Sequence, residues 1–457
     1  MNGAHDKKSE ETMAEAKTAP SALEQTTMRR VTWRIMPFMM ICYLFAILDR
    51  GNVGMASLQM VQDLGMSKAV FGFGASLFFF SYFLMEVPSN LALQRFGARR
   101  WIARIMITWG IISAGMAFVQ GQNSFYVMRF ILGAAEAGFF PGVLLYLTYW
   151  LPANYRGRLI ALFGISIPAA TFIGSPLGGL LLSLDGLLGL RGWQWLFIVE
   201  GVPTVLLGLV CLSILTDRPD QARWLRDDER AWLCAELDRE KASRPSATER
   251  TGWGSFVQLL SNPYVWAMAL ACSGASAAGS VLGVWQPQFL KSFGLTNLET
   301  GLINSIPYGV ACVLMVLWGR HSDKTGERRW HTALTLILIS LGFLGVFVIH
   351  SLIGTVILLS LVLVGAYAFK GPFWALTSGW LGAGSVAAGL AMINAVSNLI
   401  GGGLMVNVYG SVLEATGNHG LALLPIAMVT MVGASLILVI SRPRNAETLS
   451  PVIVKGA

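Results

Sequence analysis

Four charged residues stand inside stretches that are otherwise apolar: Asp49, Arg50, Arg129 and Glu136. A charge at the centre of a bilayer costs at least ~2.5–3.5 kcal/mol, so it persists only where it is paired or faces a wet cavity. Asp49 and Arg50 fall about seven residues before the end of their apolar stretch, roughly 10 Å deep at 1.5 Å per residue. Arg129 falls about five residues inside the start of its own stretch, and Glu136 follows two turns deeper on the same helix face. The spacing therefore predicts that Asp49, Arg50 and Arg129 share one layer. One reading makes these residues ion pairs that hold helices together. The other makes them a binding site, because two planar guanidinium forks exceed what pairing needs and suit carboxylate recognition. Glu136 stands among Gly133, Ala134, Ala135, Ala137 and Gly138, which admit close helix approach and leave a carboxyl partly dehydrated, as a proton carrier requires.

Other polar residues leave the same two readings open. Lys370, in the string YAFKGPFWAL, either faces a cavity and meets the far end of a dicarboxylate or snorkels to the membrane surface. Gly371 and Pro372 beside it can open the helix. Asn394 and Asn398 are one turn apart and either meet substrate hydroxyls or bond between helices beside Gly401, Gly402 and Gly403. Tyr43, Gln286 and Ser378 share that ambiguity, while Glu86 and Glu200, near membrane edges, read as structural. The five histidines and five cysteines are scattered, without CxxC pairs or metal-ligand spacing, so neither a metal nor any other resident cofactor is expected. An enzyme would need a nucleophile–base pair or metal ligands at membrane depth, and the sequence offers none.

The elements that must position these residues follow from composition. Of 457 residues 54% are hydrophobic and only 13% charged, against about 25% charged in soluble domains. Stretches long enough to span a bilayer fall at 34–56, 68–93, 101–120, 124–150, 157–183 and 194–215, and again at 264–290, 298–319, 332–350, 352–380, 385–413 and 419–441. The expected fold is all-α integral membrane, with twelve transmembrane helices in two six-helix pseudo-symmetric bundles. The expected organisation is a tail at 1–32, a six-helix bundle at 33–216, a polar loop at 217–262, a second bundle at 263–441 and a tail at 442–457. That loop and that tail are too small to be a signalling domain, which disfavours a membrane sensor. The polar start has no signal-peptide core, so targeting is expected from the first span.

Arg29, Arg30 and Arg34 precede or open the first span, and Arg156 and Arg158 follow the fourth. Together with the basic loops after the second and eighth spans, they place both termini in the cytoplasm by the positive-inside rule, in a cytoplasmic membrane. The net charge of +8 follows from these loops and does not imply a nucleic-acid partner.

The halves also echo each other. NLALQRFGARRW follows the second span and GRHSDKTGERRW follows the eighth, six spans later, a repetition typical of duplicated transporters. Here the chain resembles the major facilitator superfamily, and within it the anion:cation symporter branch, which includes tartrate, aldonate, hydroxyphenylacetate and phthalate permeases. Gly319, Asp323, Lys324, Gly326 and Arg328 match the superfamily's loop motif in full. The first copy keeps Arg95, Gly97, Arg99 and Arg100 but has Asn90 and Gln94 where the general motif has Gly and Asp. The strings LDRGNVG, EVPSNLALQRFGARRW, MRFILGAAEAGFFPGVLLYLTYW and GWQWLFIVEGVPT carry the branch resemblance. The resemblance implies that Arg50 and Arg129 bind a small organic anion, that Asp49 and Glu136 take up the coupling protons, and that the loop motifs brace the conformational change. It implies a monomeric carrier working by symport, with exchange or facilitation as the alternative, since fold alone does not define function.

Overall fold

A computed structural model describes residues 21–243, 261–380 and 386–441. The tails at 1–20 and 442–457, and 244–260 of the polar loop, lie outside the described residues. Within them are twelve helices long and apolar enough to cross a membrane. The first six spans are Ala22–Asp63, Lys68–Phe96, Ala98–Phe118, Gln122–Trp150, Ala153–Leu182 and Gly192–Ile214. After a loop helix at Asp227–Ser243 come Pro263–Lys291, Asn297–Thr325, Arg329–Val348, Leu352–Gly379, Gly389–Thr416 and His419–Ile440. An even number of crossings returns the chain to the face on which it began. That face also carries Arg95, Arg99, Arg328 and the loop helix, and is called the basic face below; the opposite one is the far face.

Polar caps set the tight connections. Ser67 accepts from the Val70 N–H at 3.3 Å, and Thr296 and Glu299 form a capping box that starts the eighth span. Gly97 (φ 88°) and Gly326 (φ 67°) end the second and eighth spans in a backbone region that side-chain-bearing residues rarely adopt. These are the glycines of the two loop motifs, so part of the motif is a helix stop.

The first span is much longer than its apolar core. It starts at Ala22, capped by Ser21, and reaches Asp63, because flanking polar residues continue the helix at both ends. Its basic-face extension, inside the expected tail, is clamped to the loop helix by Arg30 and Glu229 at 2.6 Å. Arg156 and Glu240 at 3.3 Å fix the same helix to the fifth span, and the Trp150–Trp224 ring stack ties the segment just before it to the fourth.

The halves meet through the fifth span against the eighth, the second against the eleventh and the first against the seventh. A Cβ on Gly54 would lie 2.5 Å from the Gly283 carbonyl oxygen, and one on Gly179 would lie 2.8 Å from that of Asn297. On the far face the Lys68 N–H donates to Glu414 at 2.8 Å and Lys68 Nζ to Gln288 at 3.1 Å. Trp285 packs between Phe71 and Tyr409 in the same plug. Mid-span Arg50 is nevertheless only half-buried, and mid-span Lys370 is exposed. The far face is therefore closed and the cavity between the halves opens toward the basic face. Large exposed apolar side chains such as Val87, Phe118, Val348 and Ile353 lie on the outside of the spans, where lipid covers them.

Candidate functional site

Arg50 lies 13 residues before the far end of the first span, and Glu136 lies 14 residues into the fourth. At 1.5 Å per residue both are about 20 Å deep. There Arg50 Nε donates to Glu136 Oε1 at 2.5 Å, a charge-assisted bond. The Arg50 side chain is 30% exposed and that of Glu136 0%. Glu136 Oε2 has no hydrogen-bond partner. The helix breaks directly after Glu136: Ala137 is extended and Gly138 is left-handed, with φ 85°. The small residues around Glu136 thus permit a kink as well as close packing.

Arg129 is only seven residues into the fourth span, about two turns nearer the far face than Arg50. The two arginines do not share a layer, because the first span runs further toward the far face than its apolar core suggests. They share Phe78 of the second span instead, with guanidinium carbons 5.8 Å (Arg50) and 4.8 Å (Arg129) from its ring centroid. Arg129 is 1% exposed and donates from Nη2 to the Ala75 carbonyl oxygen at 3.3 Å. Its Nε and Nη1 have no partner. A buried guanidinium with two idle donors is a fork without an anion.

Asp49 points away from the cavity, into the first bundle. Its oxygens accept from Trp109 Nε1 at 2.6 Å and from the Ser113 hydroxyl. Both arginines remain within its electrostatic range. Glu200, placed near a membrane edge by its sequence context, is buried in this bundle within range of Asp49.

Lys370 lies in the tenth span directly after Phe369, where the helix is perturbed but keeps its main-chain bonds. Its side chain is exposed, 5.7 Å from the Tyr367 ring and within electrostatic range of Arg50 and Cys272. Tyr43 stacks on Phe140 at 5.2 Å and lies within range of Arg50, Glu136, Tyr82 and Tyr367. Asn398 accepts from Ser276 at 3.1 Å, an interhelical bond, and half-buried Asn394 accepts from Ser397 through its main-chain oxygen. Ser378 donates to Ala375 of its own helix. Gln286 is fully buried above the open part of the cavity.

The loop motifs lie on the basic face, away from these residues. Asp323 pairs with Arg328 at 2.8 Å in the second copy. Gly319 lies in the eighth span with open space around it, and Lys324 is exposed near its end. In the first copy the Arg99 N–H donates to Asp217 at 2.8 Å and Arg99 Nε to the Leu212 carbonyl oxygen at 2.7 Å. Arg95 lies over the Phe96 ring at 5.8 Å, and Arg100 is exposed. Asp217, beyond the sixth span, thus supplies the carboxylate that Gln94 lacks. Sequence reading missed it, along with Phe78, Trp109 and Ser113; a Trp and a Ser four residues apart in an apolar span were the available signal. It also treated the histidines as scattered, whereas His321 Nδ1 lies 2.8 Å from His331 Nε2 and His331 Nδ1 2.7 Å from Glu327. Burial raises the Glu327 carboxyl, but hydrogen bonds from Trp330 and His331 outweigh it and hold the group below its ordinary value.

Residues 39–406 match the family model of the Major Facilitator Superfamily. An Agrobacterium vitis protein named "Putative tartrate transporter" is 46% identical over 434 residues, covering 94% of this chain and 99% of its own. A "Quinolone resistance transporter" of Acinetobacter baumannii is 39% identical over 417 residues, with coverages of 90% and 94%. A bacterial homologue of the human lysosomal transporter Spinster has the same fold, with a TM-score of 0.72 at 16% identity over 89% of this chain and 96% of that one. The chain therefore belongs to the major facilitator superfamily: it is a multi-pass membrane transporter and not an enzyme.

Proposed function

We propose that this superfamily member takes up a small organic anion across the cytoplasmic membrane, coupled to protons and working as a monomer. The carrying observation is the Arg50–Glu136 bond at the base of the cavity. A fork suited to a carboxylate is held by the protein's own carboxylate, so anion and Glu136 compete for one partner. A proton on Glu136 removes the competitor. The basic loops put the open side in the cytoplasm. The empty carrier then faces inward with Arg50 already gripped, which opposes rebinding of a released anion.

Loading runs the other way. When the far face opens, Arg129 offers its idle Nε and Nη1 to a carboxylate. Protonated Glu136 then frees Arg50 for the same anion. Asp49 is the second proton site; its oxygens accept from Trp109 and Ser113, and losing its charge leaves the arginines more available. Lys370, across the cavity, takes the far end of a dicarboxylate. The relatives named for tartrate favour a carboxylate cargo. No cofactor beyond the proton is required.

The test is uptake of labelled tartrate, an aldonate and phthalate into proteoliposomes with the outside made acidic. Accumulation above the equilibrium level is expected for at least one acid. With Glu136→Gln that accumulation should vanish while exchange of internal for external substrate continues, because an amide resembles a permanently protonated acid. Exchange alone in the parent would make the protein an anion exchanger, and accumulation by Glu136→Gln would assign the proton to another group.

A further inference from the structure

At the depth of Arg129, on the opposite half, Gln286, one of the ambiguous polar residues of the sequence, belongs to a group of buried neutral side chains whose other members, Asn304 and Tyr308, have no role so far. Gln286 of the seventh span lies five residues before the far end of its helix, and Asn304 of the eighth lies seven residues into its own. Both are about 8–10 Å deep, the depth of Arg129. Gln286 Nε2 donates to the Asn304 main-chain oxygen at 3.4 Å, and Asn304 Nδ2 donates across the halves to Ser175 Oγ at 2.8 Å. The bond to a main-chain oxygen fixes the orientation of the Gln286 amide, and the Asn304 amide turns its Nδ2 toward Ser175. Gln286 Oε1 and Asn304 Oδ1 have no partner. One turn deeper, the buried Tyr308 hydroxyl has none either, and its ring is 6.4 Å from that of Tyr367, which is in range of Tyr43 beside Arg50.

A buried acceptor without a hydrogen bond is destabilising. Two amide oxygens can only accept, so a carboxylate oxygen is repelled there and an aromatic or alkyl group leaves them idle. A hydroxyl satisfies them. Arg129 supplies idle donors in the same layer on the opposite half, so donors for a carboxylate face acceptors for the hydroxyl groups of the same small molecule.

We propose that Gln286, Asn304 and Tyr308 form a hydroxyl-reading wall that restricts the cargo to hydroxylated carboxylates. The wall rests on the organic-anion reading above and narrows its substrate class. It is engaged when the far face is open or the site is occluded, since in the present state the fifth and eighth spans close over it. A site built to bond a hydroxyl rejects the analogue lacking it far more strongly than an apolar pocket rejects a missing methylene.

Binding of matched acid pairs to the purified full-length protein tests this: tartrate against succinate, and gluconate against hexanoate. The parent should prefer one hydroxylated member by roughly 100-fold or more. Asn304→Leu, and the near-isosteric Tyr308→Phe as the variant least able to disturb folding, should each reduce that ratio at least about tenfold, chiefly by weakening the hydroxylated acid. Arg50→Ala should instead weaken both members together. Equal binding of both members by the parent, or an unchanged ratio in both wall variants, overturns the wall and leaves anion transport standing. Failure of every carboxylate to bind overturns the anion reading itself.

Discussion

Arg50 and Arg129 differ in what already satisfies them, and this sets different consequences for their removal. Arg50→Ala strands Glu136 in the membrane interior without its cation, so the acid must hold a proton to remain there. Arg129→Ala removes a bond to the Ala75 main-chain oxygen, which stays within its own helix, and one of the two cations in range of Asp49, while Glu136 keeps its bond to Arg50. Both variants should lose carboxylate binding by thermal shift while reaching the membrane at normal levels, and adding Glu136→Gln should restore stability to Arg50→Ala alone. Retained binding in both single variants would return the arginines to a purely structural role. Lys370→Met is expected to weaken a dicarboxylate far more than a monocarboxylate of similar size, measured by competition against the same tracer; equal effects would place the lysine outside the site. The identities of these residues were legible from the sequence, because charge inside an apolar run is rare. Their partners were not. Asp49 adjoins Arg50 in sequence yet points to Trp109 and Ser113, and only the rotation of the helix decides which neighbour faces the cavity.

At the scale of the element, hydropathy gave the existence of the spans but not their breaks or true ends. The fourth span reads as one apolar run, yet it stops at Glu136 and restarts at Phe139. The tenth is only perturbed at Phe369, next to Gly371 and Pro372, and Phe369 keeps helical dihedrals and its main-chain bonds to Gly365 and Phe373. A pattern of apolar residues is indifferent to such a break, because both segments bury the same kinds of side chain. Gly138 carries the conformational demand: it has φ 85°, and a Cβ there would collide with Ser89 Oγ. Gly138→Ala should therefore lower thermal stability, of which about 1–2 kcal/mol is backbone strain. Combining it with Ser89→Ala should recover only part of the loss, since the strain in φ remains and so does the contact with the Cβ of residue 89, 2.6 Å away. Full recovery in the double variant would show that the contact with the Ser89 hydroxyl was the whole effect.

For the whole molecule, the pseudo-symmetric architecture was readable from the repeated loops, whereas the state of the carrier was not, because one sequence must specify both closures. The far closure depends on backbones meeting without side chains between them. Gly54 in the first span faces the Gly283 and Val284 carbonyl oxygens of the seventh at 2.5 and 3.0 Å from where a Cβ would stand. Backbone atoms in two long helices cannot yield locally, so a larger residue must wedge the halves apart at that end. Gly51, one turn deeper on the same helix, has open space around it and serves as the control. Gly54→Leu should shift the population toward the far-open state and abolish accumulation, while Gly51→Leu should be tolerated. The shift can be read at Gln288, which is buried in the far-face plug. In a background with the five native cysteines replaced by alanine, Gln288→Cys should resist a membrane-impermeant maleimide added from the far side. Adding Gly54→Leu should expose it, because a wedge between the first and seventh spans parts the halves, and with them Lys68 of the second span from position 288. If labelling stays absent and accumulation stays normal, the close approach at Gly54 does not hold the far face shut, and the closure must rest on the Lys68 and Trp285 contacts instead.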